Sequence, residues 1–246
     1  MTKLRSLLVT IPITMAATAA LILASLGAVV FFRKASWQQA LFRLWARWIL
    51  RICRVRLEVS GTENIGVSEH HIFVANHSSL IDVPVLAACL PVGVCFLVKQ
   101  ELFRIPLFGA YLRRTGQIPV DRRGPKASFP DTIAAALRAG EGGKSLVMFP
   151  EGTRSPSLGE FKDGAAWIAI HSGIPLIPVG ISGAARVWPG RSTLIHGGSV
   201  QVRIGPPISA ERLKVNQRRE LTARLRRAVE ELLKLEPGPG TLHPSD

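Results

Sequence analysis

The sequence predicts an α/β fold in which a mixed, largely parallel central sheet is flanked by helices and follows an N-terminal membrane-associated helical segment. Short runs rich in valine and isoleucine alternate with helical patterns along most of the chain, which favours a sheet covered by helices. From Ser6 to Phe32 no residue is charged, and an apolar helix of this length is sufficient to cross a hydrocarbon core of about 30 Å.

The composition points to lipid and to a polyanionic partner. The chain has 246 residues, of which 47% are hydrophobic, and a formal net charge of +14. So apolar a chain is typical of proteins in contact with lipid, and the charge indicates an anionic membrane surface or nucleic acid. The cysteines, Cys53, Cys89 and Cys95, form no CxxC pair and no metal-ligand pattern. They are predicted to be reduced, buried thiols of a cytosol-facing domain.

The uncharged N-terminal segment has two interpretations. A membrane helix is favoured, since basic residues stand on both sides of a long apolar run. A secretory signal peptide is the alternative, because "TAALILASLGA" contains the small residues of a cleavage site. Pro12, near the start, leaves open whether the segment spans the bilayer or re-enters it.

The next stretch, "SWQQALFRLWARWILRICRVRLEV", is amphipathic. Apolar residues recur at helical spacing while arginines fall largely on another face, a pattern typical of an interfacial helix on anionic lipid. The apolar positions are Trp37, Leu41, Leu44, Trp48, Ile49 and Ile52. A surface helix packed on its own domain is the alternative. Since these arginines follow the apolar segment, the positive-inside rule places the rest of the chain in the cytoplasm if that segment spans.

Beyond Gly61 the pattern is that of strands with helices between them. The strand candidates are "HIFVAN", "VGVCFLV", "GQIPV", "SLVMFP", "IPLIPVGIS" and "SVQVRIG". The helix candidates are Asp82–Cys89, Leu102–Arg114, Pro125–Gly140, Gly159–Gly173 and a long C-terminal helix from Ser209 to Glu236. The predicted organisation is a membrane anchor with an interfacial helix over 1–58, an α/β domain over 59–236, and a disordered tail over 237–246.

The segment "NHSSLID" places His77 just after a predicted strand and Asp82 five residues later. One helical turn brings the carboxylate back to the imidazole, where it fixes the tautomer and leaves the second ring nitrogen to accept a proton. The proton then comes from Ser78 or Ser79, as in a covalent enzyme, or from a substrate hydroxyl. The structural alternative is a helix-capping aspartate beside a histidine without a chemical role.

The segment "FPEGTR" follows another predicted strand and has the features of an anion site. Gly152 permits close approach of the backbone, Thr153 supplies a donor, and the guanidinium fork of Arg154 matches a phosphate. A simple turn with a surface arginine is the alternative. Arg122, directly after a further predicted strand, is a candidate for a second phosphate contact.

Read in order, the segments resemble the sequence blocks of the glycerolipid acyltransferase family, and above all its bacterial 1-acyl-glycerol-3-phosphate acyltransferases. The resemblance covers about residues 40–205. It rests on "NHSSLID", "KQELFRIPLFG", "GQIPVDR", "FPEGTR" and "IPLIPVG". Two prolines in the last block indicate an edge strand or a bulge, with a buried core strand as the alternative. In the family this block is associated with the acyl or substrate pocket.

The resemblance implies roles for individual residues. His77 would be the general base and Asp82 its orienting carboxylate. The glycerol 2-hydroxyl would attack the thioester carbonyl of acyl-CoA or acyl carrier protein, so that no acyl-enzyme forms and Ser78 and Ser79 have supporting roles. The implied substrate-binding residues are Asn76, Lys99, Arg122, Glu151, Gly152, Thr153 and Arg154.

The implied reaction makes phosphatidic acid from lysophosphatidic acid on the cytoplasmic side of the bacterial inner membrane, with membrane lipids as partners and without a metal or other cofactor. A second hypothesis keeps the enzyme class and changes the acceptor to another lyso-lipid, such as lyso-ornithine lipid. A third is a membrane-binding or nucleic-acid-binding module without catalysis. No nucleic-acid motif is present and much of the basic excess lies beside the apolar segment, which disfavours a nucleic-acid partner.

Overall fold

A computed structural model of the chain describes residues 2–31, 35–66, 70–120, 125–190 and 192–235. Arg122 and the tail 237–246, for which the sequence predicts a phosphate contact and disorder, lie outside these ranges. The predicted α/β architecture is confirmed, because one mixed sheet carries helices around it.

Within the described residues the sheet has seven strands: β1 (Val55–Ser60), β2 (Ile72–Ala75), β3 (Gly93–Lys99), β4 (Ile118–Val120), β5 (Lys144–Met148), β6 (Leu176–Ser182) and β7 (Gly198–Ile204). Their order across the sheet is β1-β7-β6-β2-β5-β3-β4. Every neighbouring pair is parallel except β6 with β7, which is antiparallel. The central strand β2 therefore lies between β6 and β5, and its carboxyl end meets those of both neighbours.

The helices are α1 (Thr2–Arg5), α2 (Ile11–Phe31), α3 (Ala35–Ile52), α4 (Asp82–Cys89), α5 (Phe108–Arg114), α6 (Pro125–Glu141), α7 (Gly164–Ser172), α8 (Ala184–Val187) and α9 (Arg218–Lys234). A π-helical turn (Ser6–Thr10) joins α1 to α2, and 3₁₀ turns cover Thr62–Asn64, Gln100–Arg104 and Val215–Gln217. The helix predicted over Leu102–Arg114 is interrupted before α5. Pro106 lies in this break, where a proline disfavours helical backbone at the residue before it.

Successive side chains of β2 point into different halves of the core, as the two-residue period of a strand requires. Phe73 and Ala75 pack in one hydrophobic cluster with residues of α3 and α4. Ile72 and Val74 pack in the other, with residues of α7 and α9. Burial on both faces explains why β2 appears in the sequence as a continuous apolar run.

Strand β1 was missing from the sequence-based prediction, which assigned most of it to the amphipathic segment. Its sequence "VRLEVS" alternates apolar and polar residues, the pattern of a half-buried strand, but it directly follows an arginine-rich helix that masks the change of period. The strand pairs in parallel with β7. The predicted boundary at residue 58 therefore falls inside a strand of the sheet.

The proline in β6 lies in an internal strand and not at an edge. Pro178 pairs in register with Val74 of β2, while its carbonyl accepts a hydrogen bond from the Gly205 backbone N–H on the other side, at 2.9 Å. The N–H and C=O of one residue in a strand point to the same side. A backbone N–H at residue 178 would therefore point toward β7, and β7 has already ended at Ile204. The sheet does not need the donor that proline lacks.

The N-terminal helices are attached to the α/β domain by hydrogen bonds. The Arg5 guanidinium and the Ser6 hydroxyl both donate to the Ile195 carbonyl, at 3.0 and 3.2 Å. The Trp45 indole of α3 donates to the Thr18 hydroxyl of α2 at 3.2 Å. One helical stretch, Lys3–Gly27, is long and apolar enough to cross a membrane, and only 17% of its most apolar window is buried.

Helix α3 has features of both a helix packed on its own domain and an interfacial helix. Phe42, Ala46 and Ile49 are buried in the core, as expected of a helix packed on its own domain. Trp37, Leu44 and Trp48 each leave about half of their side-chain surface exposed, as expected of an interfacial helix. Arginine 43 is not on a solvent face, because its guanidinium donates to the carbonyls of Leu90 and Val92, both at 3.1 Å.

Candidate active site at the carboxyl ends of the central strands

The predicted site residues come together at one edge of the sheet. Asn76 and His77 directly follow β2, and Glu151 comes three residues after the end of β5. Because β2 and β5 are parallel neighbours, their carboxyl ends lie side by side. This is the edge at which α/β sheets generally bind ligands.

His77 and Asp82 form the predicted pair. Nδ1 of the imidazole lies 2.8 Å from Oδ2 of Asp82, and the same oxygen accepts the backbone N–H groups of Ser78 and Ser79, also at 2.8 Å. A carboxylate oxygen used in this way is an acceptor, so Nδ1 carries the hydrogen. Nε2 is then left with a free lone pair on a side chain that is 16% exposed, which is the arrangement of a general base.

The two serines between the pair are used in the local structure. The Ser79 hydroxyl donates to the Trp188 carbonyl at 2.6 Å and accepts the Ile81 backbone N–H at 3.2 Å. Ser78 is buried, and its backbone N–H is held by Asp82. The loop is thereby fixed on both sides of Leu80 by the Ser79 hydroxyl.

Phe149 covers one face of the histidine ring. The two ring centroids are 4.1 Å apart and the planes are inclined by 18°. Phe96 of β3 stacks behind it, with centroids 6.4 Å apart. The carboxylate therefore fixes the imidazole within its plane, and the aromatic stack fixes the direction perpendicular to that plane.

Glu151 connects the histidine loop to the loop that follows β5. Its Oε1 accepts the His77 backbone N–H at 2.7 Å, and its Oε2 accepts the Gly159 backbone N–H at 2.9 Å. The side chain is buried. Both oxygens are thus bonded to protein backbone, and the geometry gives Glu151 the part of a positioning residue for His77.

Asn76 holds the neighbouring strand. Its amide donates to the Ile181 carbonyl at 3.0 Å and accepts the Ile181 backbone N–H at 2.7 Å. Both polar groups of the side chain are therefore used beside the carboxyl end of β6. Asn76 therefore holds β6 in place next to the histidine loop.

The residues predicted to bind an anion lie on the exposed part of the loop after β5. Thr153 and Arg154 are exposed, and Gly152 has a φ of 70°, which favours glycine. Arg154 lies across Gly190: a β-carbon built there would be 3.2 Å from Arg154 Cβ and 3.4 Å from the Ser78 carbonyl oxygen. The arginine stem is therefore adjacent to the residue that follows the candidate base.

Two neighbours of this site were not found by reasoning from the sequence. A β-carbon on Gly152 would be 3.1 Å from Nζ of Lys162, so the ammonium of an exposed lysine lies against the turn at Gly152. Phe149 is the other neighbour. Its position directly after β5 was the available signal for Phe149, whereas the approach of Lys162 depends on the path of the whole loop.

The remaining basic residues of the predicted site are not placed next to His77 by the structure. Lys99 ends β3, which lies two strands from β2, about 10 Å at the usual strand spacing. Its ammonium pairs with Oε1 of Glu101 at 3.1 Å and is about half exposed. Arg122 follows the described end of β4, outside the described residues. Within the described ranges no group of three or more histidine, cysteine, aspartate and glutamate side chains could hold a metal ion.

The sequence matches the acyltransferase family model over residues 56–182, slightly more than half of the chain. It is similar to the 1-acyl-sn-glycerol-3-phosphate acyltransferase of Salmonella typhimurium, with 34% identity over 175 residues that cover 70% of this chain and 69% of that protein. A chloroplast enzyme of the same name from Brassica napus is 32% identical over 157 residues, which are 62% of this chain and 45% of the relative. The match thus spans about half the length of this plant relative.

The fold is also similar to a solved structure. The crystal structure of the 1-acyl-sn-glycerophosphate acyltransferase of Thermotoga maritima superimposes with a TM-score of 0.76 at 27% sequence identity. The superposition covers 96% of this chain and 100% of that one. The similarity therefore includes the N-terminal helices as well as the sheet.

Proposed function

Since this chain belongs to the acyltransferase family, we propose that it transfers a fatty acyl chain from an acyl thioester to the 2-hydroxyl of 1-acyl-glycerol-3-phosphate, forming phosphatidic acid. The observation that carries the proposal is the His77–Asp82 pair, which leaves Nε2 for a substrate hydroxyl beside the exposed Arg154. The names of the relatives support this acceptor.

In the proposed reaction Nε2 of His77 takes the proton of the acceptor hydroxyl as its oxygen attacks the thioester carbonyl. Asp82 holds the ring and stabilises the imidazolium that forms. The tetrahedral intermediate then expels the thiolate, which takes the proton back from the imidazolium. No acyl-enzyme is formed, which agrees with the structural use of the Ser79 hydroxyl.

The acceptor phosphate would be bound by the exposed face of the loop after β5. Arg154 supplies a bidentate donor, and Lys162, whose ammonium lies close to Gly152, supplies a second cation. Thr153 adds a hydroxyl on the same turn. Lys99 and Arg122 are proposed as further cations at the same edge of the sheet.

The acyl donor is proposed to be acyl-CoA or acyl carrier protein. A thioester already has a good leaving group, so the reaction needs a base and an oriented acceptor but no metal or redox cofactor. The described residues at the site supply the base and the candidate acceptor contacts.

The protein is proposed to act on the cytoplasmic side of the bacterial inner membrane. The apolar helical stretch Lys3–Gly27 and the exposed side chains Trp37 and Trp48 support membrane attachment. Arg47 and Arg51 are exposed on the same helix, where they suit anionic lipid headgroups. The acceptor is itself an amphiphile, so attachment would place the site where its substrate resides.

The function is tested with the full chain in detergent or lipid vesicles, labelled acyl-CoA and acyl carrier protein, and lysophosphatidic acid. Labelled phosphatidic acid is expected, and His77→Ala should abolish its formation while the circular dichroism spectrum is unchanged. Near-normal turnover by His77→Ala would show that the proposed base is wrong. A panel of other lyso-lipids belongs to the same experiment, because a clear preference for an acceptor without phosphate would contradict the assignment of Arg154.

A further inference from the structure

The side chain of Arg226, on the C-terminal helix α9, reaches the loop that follows β5. Nε of Arg226 donates to the Gly159 carbonyl at 3.0 Å, and Nη2 donates to the Leu158 carbonyl at 3.5 Å. On its own helix, Nη1 contacts the Glu230 carboxylate at 3.3 Å. Arg226 lies outside residues 56–182, the part that matches the family model.

Arg226 contacts the carbonyls of two successive peptide units, and the one reached by the longer, 3.5 Å contact also holds Glu151. The Leu158 carbonyl and the Gly159 N–H belong to the same peptide unit, and this N–H donates to Oε2 of Glu151 at 2.9 Å. Oε1 of Glu151 in turn accepts the backbone N–H of His77 at 2.7 Å. A cation on the carbonyl side of a peptide polarises its N–H, and consecutive hydrogen bonds strengthen one another.

A second contact holds the far end of the same loop. Nε of Arg218, the first residue of α9, lies 3.5 Å from Oδ2 of Asp163. Both side chains are about one-third exposed, so this pair is worth little by itself. With Arg226 it attaches the loop to α9 at two points, Gly159 and Asp163, on either side of Lys162.

We propose that Arg226 is a positioning residue for the acyl transfer: through the Leu158–Gly159 peptide and Glu151 it fixes the backbone of His77. The inference rests on the proposed function. The network also depends on glycine at position 159, because a β-carbon there would be only 3.0 Å from Oε2 of Glu151. The link lets a helix distant in sequence set the geometry of the base, for which small displacements are costly.

The test is the exchange Arg226→Gln, with Arg227→Gln as the matched control. Arg227 is the exposed neighbour on α9, and no hydrogen bond or ion pair of its side chain is seen among the described residues. We expect Arg226→Gln to lower kcat/KM by about 10-fold, as the loss of a charged hydrogen bond does. Arg227→Gln should stay within about 2-fold of the parent. Arg226→Lys, which keeps one charged donor, should lie between them.

A double-mutant cycle with Glu151→Gln separates positioning from general stability. If Arg226 acts through Glu151, Arg226→Gln should cost less than about 2-fold once Glu151 is changed. Additive losses would overturn the inference, as would equal kcat/KM values for Arg226→Gln and Arg227→Gln. If Arg226→Gln does not fold, or Glu151→Gln is too slow to measure, Arg226→Lys against Arg227→Lys decides. An unmodified chain without acyltransfer would refute the proposed function and not the contact network.

Discussion

His77 stacks on Phe149 with the ring centroids 4.1 Å apart and the planes inclined by 18°. His77 follows β2 and Phe149 follows β5, so the contact joins the carboxyl ends of two neighbouring parallel strands. The hydrogen bond to Asp82 still permits the imidazole to swing about it. The stack removes that freedom and covers one face of the imidazole with an apolar ring, so that a hydroxyl can approach only in the ring plane or from the other face.

The stack predicts a kinetic effect of Phe149→Leu. An aromatic pair contributes about 0.5–1.5 kcal/mol beyond the area it buries, so we expect kcat to fall about 3- to 10-fold with little change in the KM for lysophosphatidic acid. The measurement is steady-state kinetics with each substrate varied in turn. Trp167→Leu is the control, because it removes a similar contact between an aromatic ring and a histidine, with His171 at 4.0 Å, that is not part of the site. A fall in kcat of the same size in both variants would contradict a specific role of Phe149.

The exchange Asp82→Asn is expected to leave the fold intact and to slow the reaction by about 100-fold or more. Oδ1 of Asp82 is buried and accepts no hydrogen bond from the described residues. An amide NH₂ that replaces this oxygen therefore breaks no existing hydrogen bond. The amide oxygen can still accept from Nδ1 and both serine N–H groups, but the charge that stabilises the imidazolium is lost. Turnover and thermal unfolding are measured together. An unfolded Asp82→Asn protein would show instead that the charge is needed for the loop.

Local geometry explains why the histidine–aspartate pair could be predicted from the sequence. Its two members lie five residues apart at the start of α4, so a strand end and one helical turn bring them together whatever the rest of the chain does. The contact of Phe149 with His77 and the path from Arg226 to Glu151 depend on which strands are neighbours. Strand order across the sheet is a long-range property that no local pattern contains.

The roles of two predicted site residues also depended on tertiary structure. Asn76 and Glu151 follow predicted strands, and the resemblance implies that they bind substrate. In the structure both oxygens of Glu151 and both groups of the Asn76 amide are bonded to backbone. Whether a polar side chain faces a ligand or its own backbone is decided by the neighbouring loop, which the sequence does not locate.

The cysteines are expected to react slowly with thiol reagents in the folded protein. Burial raises the pKa of the Cys53 and Cys95 thiols to about 11 and that of Cys89 to about 12. The thiolate is the reactive form, and each unit of pKa lowers its fraction about 10-fold near pH 8. Labelling with an aromatic disulfide reagent should therefore be slow in buffer and rapid in denaturant. Rapid labelling of the native chain would contradict the burial of these side chains.

The exposed face of α3 predicts how strongly the protein binds membranes. Trp37 and Trp48 are each 51% exposed, and Arg51 lies 5.7 Å from the Trp48 ring centroid, so aromatic and cationic groups share one surface. Burying the exposed half of a tryptophan contributes about 1–2 kcal/mol. The double exchange Trp37→Ala, Trp48→Ala should therefore weaken binding to anionic vesicles about 10-fold or more.

The control for this prediction is the double exchange Val59→Ala, Val215→Ala, which removes exposed apolar side chains from the α/β domain. Vesicle co-sedimentation of both variants is measured at low and at high salt. Because the headgroups of these vesicles are anionic, salt should screen Arg47 and Arg51 and so weaken the binding of the parent protein to the vesicles. The contribution of the tryptophans to binding should persist at high salt. If the tryptophan variant binds as tightly as the control, the apolar stretch Lys3–Gly27 holds the membrane alone, and α3 is only the helix that joins it to the sheet.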